Sequence, residues 1–196
     1  MRTSQSQRLL LVEDTAIESE SARAKLLSFN SDVIDQALGM IFLCESHNAA
    51  ANIDIYAGPI SAHLRHVIEH YDALLSPADD GVVDYDTRVR DRDVERYSAI
   101  ARERLLGLKK RLAANSRALD STLVVPSQTG LAGEFSFTAA STFGRELVFV
   151  ASHALHHYAL IRHYCQAAGI LLDADFGKAP STVAHERATQ ATQISS

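Results

Sequence analysis

The stretch Ser152 to Cys165, SHALHHYALIRHYC, carries four histidines in an otherwise apolar run: His153, His156, His157 and His163. Side chains four residues apart on a helix stand one above the other, with Cβ atoms roughly 5–6 Å apart. His153 and His157 have that spacing. Two imidazoles so placed can converge on one metal ion. Glu146 falls on the same face two turns earlier, so a polar seam Glu146–His153–His157 runs along an apolar cylinder. His156 and His163, seven apart, occupy another face and are expected to be packing or rim residues, as is His47.

A second segment, PISAHLRHVIEHYDALL, holds His63, His66 and His70, with Glu69 beside them. One more imidazole from this segment closes three corners of a tetrahedron. The fourth corner is then left for water or substrate, as in catalytic rather than structural zinc sites. A buried imidazole without a partner is costly, and several such groups are satisfied together by one cation. Other chemistries lack their signatures. His153 is followed by Ala and Leu, so HExxH is absent, and no Glu precedes a His by three residues as in di-iron carboxylate bundles. FGKAPST lacks P-loop spacing, and neither GxSxG, GxGxxG nor a cysteine zinc knuckle occurs.

These segments must be positioned by helices. The chain has 196 residues, 46% of them hydrophobic, and a net charge of −5, which suits one globular domain and disfavours a general nucleic-acid binder. No apolar run approaches the ~20 residues of a membrane span, and the N-terminus does not read as a signal peptide. A cytoplasmic protein is therefore expected, without membrane or nucleic-acid partners. Cys44 and Cys165 sit in apolar helical contexts, outside any CxxC, and are expected to be reduced core residues.

Residues 1–30 are polar and read as an extension, with residues 31–182 as the domain and 183–196 as a polar, frayed tail. Ser31 is the expected N-cap of a first helix whose stripe is Val33, Ala37, Met40 and Cys44. Pro59 suits the first turn of a second helix, packed through Leu64, Val67, Ile68, Tyr71 and Leu75 and ended by SPADDG. A third, charged helix starts near Asp91 with the stripe Val94, Tyr97, Ala101, Leu105, Leu108 and Leu112. Its interspersed acids mark a solvated face. STLVVP and EFSFT, with Gly130 and Gly133 between them, suit a short β-hairpin. A fourth, largely buried helix runs from about Ser141 to Ala168, with Gly169 as its C-cap. The expected fold is all-α, a four-helix bundle with a hairpin between helices three and four.

Taken in order, GPISAHLRHVIEHYDALL, DYDTRVRD, GRELVFVASHALHHYALI and DFGKAPST resemble the DinB-like (damage-inducible, YfiT-type) metal-binding superfamily over roughly Ser31 to Thr182. The resemblance implies a four-helix bundle holding one divalent metal through three histidines. By position these are His66, His153 and His157. His66 is chosen because an acid, Glu69, follows it by three; the family more often has Asp there. His63 is the alternative ligand and His70 the third choice. Glu146 would fix the tautomer of a ligand imidazole or pair with an arginine. In DYDTRVRD the aspartates cap their own loop, and Arg88 and Arg90 would face an anionic substrate. Some members of the superfamily are thiol-dependent transferases, so the resemblance implies a metal-dependent thiol S-transferase or hydrolase acting on a small molecule, with a low-molecular-weight thiol as co-substrate. It also implies a homodimer. Imidazole ligands suit zinc, nickel and iron alike. The alternatives are a non-catalytic metal-binding or stress-response protein and a structural bundle with packing histidines.

Overall fold

Val33, Ile34, Ala37, Met40, Ile41 and Cys44 recur at helical steps, and all are buried. Full burial of Ile34, Met40 and Ile41 contributes about 1.5–3 kcal/mol apiece. They lie on α1 (Gln5–Ala51), the first element of a computed structural model that describes residues 5–52, 54–75, 81–87 and 89–194. The polar stretch before residue 31 is thus helical from Gln5, and Ser31 is not an N-cap but a mid-helix residue. No proline interrupts the stretch from Gln5 to Ala51, and Leu26, Leu27 and Phe29 extend the apolar stripe backwards against the core. The helix stops at Asn52, in the left-handed region at φ 53, which asparagine tolerates. Glu20–Ala50 is long and apolar enough to cross a membrane by length and composition, which an unbroken apolar run does not reveal. A third of its apolar 18-residue stretch is buried inside the protein.

α2 (Pro59–Leu74) opens with Pro59 in its first turn, and Ser61 Oγ accepts a hydrogen bond from the Gly58 amide. Its expected face is buried, from Leu64 to Leu75. The stop signal at residues 76–80 lies outside the described residues, as does Arg88. The third helix is two. Asp91 caps α3 (Arg92–Arg96) by accepting from the Asp93 amide, and α4 (Ser98–Ala114) follows after a break at Tyr97. Extended dihedrals at Tyr97 (φ −127, ψ 108) swing it off the stripe, leaving it 55% exposed. The rest of that stripe is buried. The charged face pairs with acids of the first two helices, Arg102 with Glu45, Lys109 with Asp35, and Arg104 and Arg111 with Asp72.

The expected hairpin is β1 (Thr122–Thr129) and β2 (Phe135–Thr142), antiparallel from Thr122↔Thr142 to Thr129↔Phe135. Its turn uses Gly130 and Gly133 at positive φ, a region glycine enters freely. The other edge of β1 holds the chain after α2: Val83 N–H donates to the Val124 carbonyl, and Val124 N–H to that of Gly81. α5 (Phe143–Ala167) is capped by Thr142, whose hydroxyl accepts from the Arg145 amide, and ends at Gly169 with φ 80. The tail then returns: Phe176 packs on Tyr158 and the Gly177 amide donates to Gln36 Oε1. Its continuation is a helix, α6 (Pro180–Ile194), with mostly exposed side chains.

Among the described residues the protein is therefore mostly helical, with six helices and one two-stranded antiparallel sheet. The four long helices meet in a ring, α1 on α5, α5 on α2, α2 on α4 and α4 on α1. Thus α2 and α5 are direct neighbours, and the two histidine-bearing segments face one another.

Candidate metal centre

Five imidazoles gather along the α2–α5 seam. His153 Nε2 lies 3.0 Å from His66 Nε2 and 3.2 Å from His157 Nε2. His157 turns its other nitrogen outward, with Nδ1 2.9 Å from His63 Nδ1. His66, His70 and His153 form a further group, each offering one donor atom within 4.8 Å of the others. The ring of His70 is centred 4.3 Å from those of both His66 and His153. His70 is buried, while His63, His66, His153 and His157 are half-buried and within reach of solvent.

The helical steps explain the convergence. His66 and His70 are four apart on α2, His153 and His157 four apart on α5, and the seam brings the two pairs together. A metal held tetrahedrally by nitrogens at 2.0–2.1 Å has nitrogen–nitrogen edges of about 3.3 Å. The observed 3.0 and 3.2 Å separations sit close to that edge, and the group whose donor atoms all lie within 4.8 Å of one another is His66, His70 and His153. Nitrogens this close need either shared protons or a shared cation.

His63, the alternative ligand, stands against the far nitrogen of His157 and beside the half-exposed Tyr164. Burial, then the charge of His156, lowers its pKa below the usual histidine value. His156 is exposed at the rim and His163 is exposed further along α5. Both expected acids are engaged by groups other than the imidazoles. Glu69 receives two bonds from Arg65 Nη1, at 2.7 and 2.8 Å, and one from the Asp91 amide. Glu146, 2% exposed, receives Tyr85 Oη at 2.9 Å, Ser141 Oγ at 2.6 Å and Arg145 Nη1 at 3.1 Å. Its link to the histidines is indirect, because the Tyr85 ring stacks on His70 with centroids 5.3 Å apart and planes 15° apart. Burial and the Glu146 carboxylate push the Tyr85 phenol well above its ordinary pKa, so it stays a donor.

Two aromatic residues were not legible as part of the site. Tyr85 comes from the crossover that β1 pins in place, and Phe149 stacks on His153 with centroids 5.7 Å apart. Phe149 sits four residues before His153, a spacing that does signal contact. Above it lies the Arg145 guanidinium, 5.2 Å from the ring centre. In the crossover, Asp84 Oδ1 accepts from the Asp86 and Thr87 amides, so this loop does cap itself. Arg90 is exposed beside Val89 and Arg92. Cys44 and Cys165 are buried and free, with Cys44 Sγ 3.6 Å from Met40 Sδ.

No family model matches the chain, and no solved structure matches it. FK506-binding protein 5 of Rhizopus delemar is 36% identical over 105 residues, which are 53% of this chain and 27% of that protein. The match therefore spans about a quarter of that relative's length.

Proposed function

We propose that this protein binds one divalent metal ion between α2 and α5, on a four-helix bundle of the DinB-like type, and uses it as a metal-dependent thiol S-transferase or hydrolase. The observation that carries the proposal is the set of Nε2 separations, 3.0 Å from His66 to His153 and 3.2 Å from His153 to His157. Zinc, nickel and iron all accept such nitrogen donors. When bound, the metal supplies a nucleophile at neutral pH by lowering the pKa of a coordinated water or thiol.

The chain's own residues do the remaining work. Neutral imidazoles leave the cation its full charge, because the nearby carboxylates are taken by other partners: Glu69 by Arg65, and Glu146 by Tyr85, Ser141 and Arg145. With the His157 Nε2 lone pair turned inward, its proton sits on Nδ1 and is donated to His63, which fixes the ring. Phe149 and Tyr85 form an apolar wall behind the imidazoles, and the exposed Arg145 offers a cation to an anionic group of a small-molecule substrate. A homodimeric, cytoplasmic protein without membrane or nucleic-acid partners completes the proposal. The partial likeness to FK506-binding protein 5 supplies no activity for this chain.

Elemental analysis of the purified protein beside a His157→Ala variant tests the metal. About one equivalent in the wild type and a clear loss in the variant supports the site. Equal metal in both means the assigned ligands are wrong, and no divalent metal bound on titration of the wild type ends the proposal. A second reading, a metal-binding protein without catalysis, is favoured by His70, whose place beside His66 and His153 can fill the fourth corner.

A further inference from the structure

The motif HxxxH occurs twice at the seam, as His153–His157 on α5 and as His66–His70 on α2. The site proposed above takes both histidines of the first and only one of the second. Three observations concern the one left over. His70 Nδ1 lies 2.7 Å from the backbone carbonyl oxygen of His66. A carbonyl oxygen only accepts, so Nδ1 carries the proton, and in the neutral ring the in-plane lone pair is on Nε2. A ligand imidazole is commonly fixed in this way, its far N–H given to a backbone carbonyl. The ring is centred 4.3 Å from both His66 and His153, and one of its two nitrogens lies within 4.8 Å of a nitrogen of each. Finally, the ring is backed by Tyr85, whose hydroxyl is tied to the buried Glu146, so its orientation is held from behind as well as from below.

We propose that His70 is a fourth imidazole donor, so that the two HxxxH pairs, His66–His70 and His153–His157, together enclose one divalent cation in an all-nitrogen site. The inference rests on the metal-binding reading above and extends it. Two pairs from two neighbouring helices supply four donors without any carboxylate or thiolate, a set that suits borderline cations such as zinc, copper(II), cobalt(II) and nickel(II). Closure by protein donors on all corners is the pattern of sites that hold their metal rather than expose it. Water or a thiol then reaches the cation only when one imidazole gives way. His70 sits at the buried end of the cluster and His157 at its half-buried end. His157 is therefore the corner that opens, and His70 is the anchor.

X-ray absorption of the wild-type protein loaded with one equivalent of zinc counts the imidazoles directly. Four nitrogen neighbours with imidazole scattering, and no oxygen neighbour, is the expected result. Three imidazoles with one oxygen overturns the proposal while leaving the metal site of the previous section intact. Absence of zinc from the protein overturns that earlier reading and this one with it. A second measurement uses cobalt(II) and the variant His70→Gln, which keeps bulk in a buried position and is checked for unchanged helix content. Wild type should show the intense visible absorption of a tetrahedral cobalt site. The variant should lose much of that intensity and bind zinc about 10-fold or more weakly. An unchanged cobalt spectrum and unchanged zinc affinity in the variant would reduce His70 to a packing residue.

Discussion

His153→Ala is the sharpest perturbation of the cluster. His153 Nε2 faces both His66 and His157, and His153 also belongs to the group with His66 and His70. It is therefore common to every donor set the geometry allows. A cation present at 100 times its dissociation constant stabilises the folded state by about 2.7 kcal/mol. For a chain of 196 residues each kcal/mol moves Tm by about 2–4 °C, so saturating zinc should raise the wild-type Tm by about 5–11 °C. Without metal, truncation of a half-buried histidine on a helix costs only about 1 kcal/mol, and alanine's higher helix propensity offsets part of that. The two proteins should thus melt within a few degrees of each other in chelator and separate when zinc is added. Thermal unfolding followed by far-UV circular dichroism reads both conditions. An equal zinc-dependent rise in wild type and variant would put the cation elsewhere, and no rise in the wild type would remove the reason for the cluster.

Other substitutions separate site from scaffold. Glu69→Gln breaks a nearly buried pair with Arg65 and should cost about 2–4 kcal/mol in urea unfolding, yet leave metal stoichiometry unchanged; loss of metal would place Glu69 in the site after all. Tyr158→Phe removes a hydroxyl that is fully buried with no hydrogen-bond partner among the described residues, so stability should hold or rise by about 1 kcal/mol, and a clear loss would reveal a missed partner. Gly177→Ala should destabilise by more than about 2 kcal/mol, because its Cβ would meet Ala159 N at 2.6 Å with φ at +69; an unchanged urea midpoint would contradict that packing. Burial raises the phenol pKa of Tyr56, Tyr71, Tyr85 and Tyr158 above the ordinary value near 10. A raised folded pKa means stability is intact below pH ~10 and falls above it, by up to about 1.4 kcal/mol per pH unit per tyrosine. The chain has no tryptophan, so tyrosinate absorbance should report these four ionising together with the loss of helix; ionisation without unfolding would refute their burial.

Helix faces were legible because burial enforces a period. Leu64, Val67, Ile68 and Tyr71 on α2, and Ala101, Leu105, Leu108 and Leu112 on α4, could be read directly from their spacing. Breaks were less so. Tyr97 fits the stripe of its neighbours in every respect that sequence records, and only its extended backbone removes it from the core. The opposite error occurred at Ser31, where a residue type common at N-caps sits inside a helix that nothing interrupts. Capping preference is a weak signal when apolar residues continue on both sides, as Leu26, Leu27 and Phe29 do before Ser31.

Within the site, spacing along one helix was informative and contact between elements was not. The HxxxH of α5 fixes His153 beside His157. On α2 the three histidines share one face at steps of three and four, so spacing cannot rank them. The family resemblance favoured His66 through Glu69, but that carboxylate answers Arg65 four residues earlier, a pairing the sequence displays equally well. What distinguishes His70 from His63 lies outside α2. Tyr85 reaches His70 from a crossover held by β1, whereas His63 faces the outer nitrogen of His157. The hairpin between α4 and α5 therefore bears on the histidine cluster although it contributes no imidazole. It fixes Val83, Val83 fixes the approach of Tyr85, and Tyr85 with Glu146 holds one ring at the buried end of the cluster while the opposite end stays within reach of solvent.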